Sequence, residues 1–344
     1  MEKVRWGVLA SANYADVAVL ANAQSATTAF VAAANAEGGE SRQHTEGYGL
    51  ARNYDTYEEL LADEEVDAVF VATAPDRHAE WAVKALEAGK HVLVEKPLAL
   101  NAADAERVFD AAQTAGRLAA EGLLHLYHPR VRLIQSLIAE GRIGKLMYIY
   151  TGTTATLPPG FFRRNRAVGG GALLDLGIVS LSAALLFAGE GDLAAVPERV
   201  YAEEVRAAGG EDVNFAATLR LPGDVLVQLE AGQEVARGDD LQIVGTKGRI
   251  IVKDPWFNRI PDVELSLQGP PPHGEPVVEL VPVDPEQLTI RHPYAAAVYP
   301  FDTFSTAVAT GARLPFGREN AVTQARVIEA LFESAGKAQP VSLV

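Results

Sequence analysis

From residue 3 to residue 124 the chain alternates short apolar runs with helical patterns, and this alternation constrains the fold more than any other feature. Residues 3–10, 28–34, 66–72, 91–94 and 118–124 are β-branched and apolar runs of strand length. Residues 15–23, 57–61, 77–88 and 102–115 repeat apolar side chains at helical spacing. A strand–helix–strand series of this kind folds as a parallel sheet, because each crossover helix returns the chain to the same edge. Ligands of such sheets bind outside the carboxyl ends of the strands.

One stretch stands out at that edge: Gly89-Lys90-His91-Val92-Leu93-Val94-Glu95-Lys96-Pro97-Leu98. Gly89 suits the left-handed residue that ends a helix. The strand that follows delivers Glu95 and Lys96 to its carboxyl end. Pro97 has no N–H and biases Lys96 towards extended backbone. Most lysines are solvated surface charges. A lysine among other cations or in a dry pocket can instead exchange its proton near neutral pH and serve acid–base catalysis. The expectation is that Lys96 is a catalytic proton donor or acceptor.

The first strand runs into Gly7-Val8-Leu9-Ala10-Ser11-Ala12-Asn13-Tyr14-Ala15. A dinucleotide-binding turn places glycines where backbone approaches a pyrophosphate. Ala10, Ala12 and Ala15 occupy those slots, so small residues are kept and glycines are not. An ordinary strand–turn–helix fits this stretch equally well. After the second strand, Asn35-Ala36-Glu37 and then Arg42 stand where a ribose-reading acid or a 2′-phosphate-reading arginine belongs, and NAD is not separable from NADP. Thr73-Ala74-Pro75 forms a tight turn, with Asp76 expected as N-cap of the next helix and His78 in its first turn. On spacing alone, His78 reads as a surface or capping histidine.

A chain of 344 residues is long enough for two domains with real cores. The net charge of −15, with no basic stretch to offset it, argues against nucleic-acid or anionic-membrane partners. The absence of cysteine excludes disulfides and thiolate metal sites. No signal-peptide pattern precedes Val4, and the most apolar segment, 172–189, is interrupted by Asp175 and Gly177; a cytoplasmic location without a membrane span is expected.

Ala88 to Leu98 resembles the signature of the Gfo/Idh/MocA oxidoreductases, the glucose–fructose oxidoreductase and inositol dehydrogenase family. Val4-Arg5-Trp6-Gly7-Val8-Leu9, Tyr57-Glu58-Glu59-Leu60-Leu61, the run from Val66 to Thr73 and His78-Ala79-Glu80-Trp81-Ala82 extend the likeness. Gly169-Gly170-Gly171-Ala172-Leu173-Leu174-Asp175-Leu176-Gly177 is similar to the family's second motif. The resemblance implies an α/β chain: a Rossmann domain with a doubly wound parallel sheet, residues 1–122, and a substrate-binding and oligomerisation domain with a large, mostly antiparallel open sheet, residues 123–344, whose closing helices can pack back on the first domain. It implies NAD or NADP as cofactor, a sugar, sugar acid or polyol as substrate, no metal, and a homodimer or homotetramer. By resemblance, the candidate cofactor-binding residues are Ala10, Ala12, Asn13, Asn35, Thr73, Ala74, Pro75, His78, Glu95 and Lys96. Lys96 would contact the nicotinamide ribose and the substrate oxygen, and Asp175 a substrate hydroxyl.

Two departures bear on the chemistry. The family's proton-transfer group lies four residues after the aspartate, where this chain has Val179. An arginine common before Tyr127-His128-Pro129 is replaced by Leu126. His125 and Tyr127 are the candidates to take over proton transfer. Arg163 stands where relatives have a substrate-side arginine, with Arg164 and Arg166 beside it. Arginine suits fork-like recognition of carboxylate or phosphate, so this loop reads either as an anion-recognising site or as a solvated basic loop or interface contact. A non-catalytic nicotinamide-binding homologue and an NAD-assisted lyase or glycosidase are the alternatives to a dehydrogenase. In the second half, residues 129–141, 172–188, 294–310 and 320–337 read as helices, and 145–155, 199–205, 213–221, 225–233, 239–244 and 249–252 as strands.

Overall fold

The computed structural model describes residues 2–10, 18–19, 21–23, 25–35, 50–269, 274–288 and 297–343. Ala12, Asn13, Ala15, Glu37, Arg42 and the 292–294 segment lie outside the described residues. The chain forms two compact units, Met1–Leu124 with His292–Val322, and His125–Arg291 with Thr323–Val344.

In the first unit, β1 (Val4–Ala10), β2 (Thr28–Asn35), β3 (Arg52–Tyr54), β4 (Ala68–Ala72), β5 (His91–Val94) and β6 (Ala119–Glu121) form a six-stranded sheet in the order β3-β2-β1-β4-β5-β6. Every pairing is parallel. Parallel strands covered on both faces must be apolar throughout, and all five residues of β4 are buried. The strand order reverses between β1 and β4, which opens a crevice at their carboxyl ends.

The crossover helices start and stop where local chemistry dictates. Tyr57–Leu61 opens with a capping box, Thr56 receiving the Glu59 N–H and Glu59 reaching back to Thr56. Ala102–Ala115 is capped by Asn101 and closed by Gly116 at φ 64°. The helix Tyr299–Thr310 also belongs to this unit. Phe301 and Phe304 pack against Trp6, whose indole N–H donates to Ser305 Oγ at 3.0 Å.

One expectation here is corrected. Asp76 does not cap a helix: Pro75–Arg77 is a 3-10 turn led by Ala74, and the α-helix begins at His78 with no side-chain cap. Pro75 lacks an N–H and suits a first helical position, so the turn begins one residue earlier than the acid.

The second unit contains β7 (Leu146–Thr156), β8 (Arg199–Arg206), β9 (Asp212–Leu221), β10 (Val225–Gly232), β11 (Glu234–Gly245), β12 (Gly248–Ile251), β13 (Val263–Leu267), β14 (Val277–Val281) and β15 (Val341–Ser342). They form a nine-stranded sheet in the order β14-β13-β12-β11-β7-β10-β9-β8-β15. Among the described residues of this sheet, only β7 and β10 pair in parallel. β9 alternates buried and open positions from Ala216 to Leu221, as a strand with one covered face must. The covering element is the helix Ile178–Phe187, packed on β7 and β10. An 18-residue window of the stretch Arg166–Phe187 has a mean hydropathy of 1.9 and is 94% buried, which is the burial of a core helix. On the open face Tyr148, Tyr150 and Tyr201 remain exposed.

Candidate active site

Candidate site residues occur in each of the two units. In the first, the sheet register sets Ala10 beside Asn35 on one side and Ala72 on the other, all at carboxyl ends. The Tyr57 hydroxyl donates to the Ala10 carbonyl at 2.8 Å and holds the end of β1. Asn35 is buried, and its Oδ1 has no hydrogen-bond partner among the described residues. An orphaned acceptor at this edge suits a ligand that brings a donor, such as a ribose hydroxyl.

Lys96 is half-buried and follows a buried Glu95. The Lys96–Pro97 peptide is cis. The turn is held at several points. The Glu95 N–H donates to Val71 O at 2.9 Å, and the Leu98 N–H donates to Glu121 Oε1 at 2.9 Å. The Gly122 N–H donates to Val94 O at 2.6 Å. A Cβ on Gly122 would lie 3.1 Å from that carbonyl oxygen, so glycine permits the close approach.

His78 is buried, not on the surface. Its Nδ1 lies 2.7 Å from Pro97 O and its Nε2 lies 2.9 Å from Thr73 O. The ring therefore joins the Thr73–Pro75 turn to the Lys96–Pro97 turn. Burial pushes the imidazole pKa down, and the nearby Lys96 charge adds to the effect, while the two carbonyls oppose it. A neutral ring carries one N–H and satisfies one carbonyl at a time; only the imidazolium could donate to both.

In the second unit, Asp175 is buried on a π-helical turn, Leu173–Gly177, that leads into the helix Ile178–Phe187. A single helix was expected over 172–188. Its first turn is widened instead, a feature frequent at functional sites. Arg163 grips Asp175 Oδ1 with Nε at 2.7 Å and Nη2 at 2.6 Å. Gln233, fully buried, donates from Nε2 to Asp175 Oδ2 at 3.0 Å and to Arg163 O at 3.1 Å.

The glycine run has a steric cause. Asp212 of β9 accepts the Leu173 N–H at 2.7 Å. A Cβ on Gly171, whose φ is +131°, would lie 2.1 Å from Asp212 Oδ1, and one on Gly170 would lie 2.7 Å from Arg163 O. Burial pushes the Asp212 pKa up to about 6 against its backbone hydrogen bonds.

His125 and Val179 belong to one chain of contacts. Ser182 Oγ donates to Val179 O at 2.9 Å and lies 3.1 Å from His125 Nε2. The serine proton is committed to the carbonyl, so the imidazole Nε2 is the donor to Oγ. Trp256 meets the His125 ring edge-on at 5.3 Å. The loop carrying Trp256 is fastened by Arg130, which donates to the carbonyls of Lys253, Asp254, Pro255 and Ile260 at 2.6–3.2 Å and to Asn258. Burial lowers the Arg130 pKa to about 10 and the adjacent His128 to about 3. Tyr127 and Leu126 are buried.

The three loop arginines do not converge on one point. Arg163 holds Asp175, Arg164 pairs with Glu234 at 2.6 Å, and Arg166 donates to Gly210 O at 3.3 Å. Gln233, Asp212, Ser182 and Arg130 were not anticipated from the sequence. The Gly169–Gly171 run signalled a close approach without naming its partner. Among the described residues, no group of His, Asp and Glu is arranged to hold a metal ion.

Comparison with known proteins agrees with this geometry. A model of an oxidoreductase family with an NAD-binding Rossmann fold matches residues 5–123, and a GFO/IDH/MocA C-terminal domain model matches residues 131–251. An uncharacterised oxidoreductase of Rhizobium meliloti is 32% identical, covering 97% of this chain and 98% of that protein. The dTDP-3,4-didehydro-2,6-dideoxy-alpha-D-glucose 3-reductase of Actinomadura kijaniata is 32% identical over 88% of this chain and 87% of its own length. A crystal structure of a 3-ketoreductase from the same organism, in complex with NADP and TDP-benzene, superposes with a TM-score of 0.82. It has 29% identity and covers 97% of this chain and 98% of that one.

Proposed function

Because the chain belongs to the Gfo/Idh/MocA oxidoreductase family, we propose that it moves a hydride between NAD(P) and a secondary alcohol or carbonyl of a sugar, sugar acid or polyol, with Lys96 at the reacting oxygen. It is an NAD(P)-dependent enzyme acting on CH–OH groups. Residues 1–122 carry the cofactor, and residues 123–344 carry the substrate and the subunit contacts, apart from the helix Tyr299–Thr310, which packs with the first unit.

The observation that carries the proposal is the held turn at the carboxyl end of β5. Hydrogen bonds on both sides of Lys96 fix the backbone beneath its ammonium group. A general acid–base residue contributes only when it is held within reach of the proton it moves. When bound, the nicotinamide supplies or accepts the hydride. Lys96 gives a proton to the substrate oxygen during reduction and takes one during oxidation.

The residues present fit the cofactor. The crevice at β1 and β4, the small side chain of Ala10 and the orphaned Asn35 Oδ1 support a dinucleotide lying along this edge. Ala10, Ala12 and Asn13 would face its pyrophosphate, and Asn35 its adenosine ribose. Thr73, Ala74 and Pro75, braced by His78, would flank the nicotinamide end with Glu95 and Lys96.

Asp175 accepts a hydrogen bond from a substrate hydroxyl, oriented by Arg163. His125 or Tyr127 takes the proton-transfer role usual at position 179. With Arg163, Arg164 and Arg166 each paired internally, neutral polyols and sugars are favoured over sugar acids and phosphates. The exposed Tyr148, Tyr150 and Tyr201 support a homodimer or homotetramer closed over the open sheet face.

Val179 favours a second reading, a nicotinamide-binding homologue without turnover, since valine cannot move a proton. Parallel fluorescence titrations with NADH and NADPH, followed by a sugar and polyol screen at the preferred cofactor, separate the two. Tight binding with turnover is the expected result. Tight binding without turnover of any compound would favour the second reading, and binding of neither cofactor would sink both.

A further inference from the structure

Asp175 is gripped from two sides, by Arg163 and by Gln233. Both guanidinium donors, Nε at 2.7 Å and Nη2 at 2.6 Å, fall on the same oxygen, Oδ1. A fork that meets both oxygens sets the plane of a carboxylate; two donors on one oxygen do not. The second oxygen is fixed by Gln233, whose Nε2 sends one hydrogen to Asp175 Oδ2 at 3.0 Å and the other to Arg163 O at 3.1 Å.

Gln233 is itself fixed to backbone. Its N–H donates to Val213 O at 2.7 Å, and its carbonyl accepts from the Leu157 N–H at 2.9 Å. Its side chain is fully buried, and its Oε1 has no hydrogen-bond partner among the described residues. A flipped amide would set Oε1 against both Asp175 Oδ2 and Arg163 O, oxygen against oxygen, so the donor assignment follows from the neighbours.

We infer, on the strength of the oxidoreductase assignment, that Gln233 is a positioning residue: it orients the Asp175 carboxylate against the sheet backbone and thereby sets which substrate hydroxyl the enzyme accepts. The orientation of the Asp175 lone pairs is referenced through one amide to β9 and to the 157–165 loop.

The test compares wild type with Gln233→Leu and Gln233→Glu as full-length protein, with D-xylose, D-glucose and myo-inositol as probes at saturating NAD or NADP. Gln233→Leu keeps the volume and removes both donors. It is expected to lower kcat/KM for the probes at least tenfold, chiefly through KM, with NADH or NADPH affinity within twofold of wild type. A crystal structure of this variant is expected to show the Asp175 carboxylate rotated about its Cβ–Cγ bond.

Gln233→Glu keeps the shape and turns a donor into an acceptor. Its kcat/KM is expected to recover as pH falls, because the introduced carboxyl regains an O–H donor when it is protonated; a residue needed only for packing would give no such profile. An unrotated carboxylate in Gln233→Leu, or wild-type kinetics in both variants, overturns the inference. Should wild type turn over none of the probes, the oxidoreductase assignment loses support while the carboxylate orientation in the crystal still decides the role of Gln233.

Discussion

Lys96 and Asp175 are held by opposite means. The Lys96 turn is secured by groups close along the chain: His78 lies 19 residues from Pro97, Glu121 lies 23 from Leu98, and most of the contacts involve backbone. Besides Arg163, 12 residues away, Asp175 is secured by side chains that arrive from afar, Gln233 at a separation of 58 residues and the Asp212 that anchors Leu173 at 39. The first arrangement follows from strand ends in a parallel sheet and tolerates drift elsewhere. The second exists only while β9 and β10 keep their register, and a single distant substitution can undo it.

Four substitutions test that contrast, in order of expected size. Lys96→Met removes the group that the backbone-held turn exists to present, and kcat/KM should fall by about 10³-fold, within the range for general acid–base groups. Steady-state kinetics check it, and unchanged turnover would remove Lys96 from the chemistry.

Asp212→Asn probes the long-range anchor. The folded pKa of about 6 lies above the ordinary carboxyl value of 3.8, with burial as the largest cause. The native state therefore holds more proton than the unfolded chain between those values. Stability falls as pH rises through that window, by about 3 kcal/mol in all, and stays reduced above it. The asparagine variant should lose this slope in urea melts between pH 4 and 7; an unaltered slope would mean that Asp212 ionises freely.

His78→Gln interrupts the bridge between the Thr73 and Pro97 carbonyls. A loss near tenfold in nicotinamide affinity and in kcat/KM is expected, about the worth of one ordinary hydrogen bond at ~1.4 kcal/mol. Smallest is Thr56→Ala, which removes a capping box that holds neither the Lys96 turn nor Asp175. It should cost about 1 kcal/mol in urea denaturation and leave kcat/KM unchanged.

Much of the first unit was legible because its signals are local. The helix over 102–115 starts at an asparagine cap and stops at a left-handed glycine, and both are residue types with a short-range reason to be there. The β5 strand is bounded by Gly89 and Pro97 in the same way. The short strands β3, β13, β14 and β15 were missed. β3 and β15 are only three and two residues long, and every residue of β14 is at least partly open, so these three carry no buried alternation; β13 buries Val263 and Leu265 but spans only five residues.

On spacing alone His78 reads as a surface or capping histidine, and the structure buries it. Its burial depends on the two turns closing over it, and no spacing rule records that. Asp175 was recognised only through its motif. Nothing in the residues around Gln233 or Asp212 announces that each ends on the same turn, because an amide at a strand end and an acid at a strand start are ordinary residues in isolation.

The sequence by itself determined the strand–helix order, the sheet edge that receives ligands and the lysine presented there, because period, caps and chain stiffness act over a few residues. The tertiary structure alone decided the partners of Asp175, the bridge made by His78 and the links from His125 to Ser182 and Val179. Hydrogen bonds of side chains are short and directional, and which groups meet is set only when strands distant in sequence come into register.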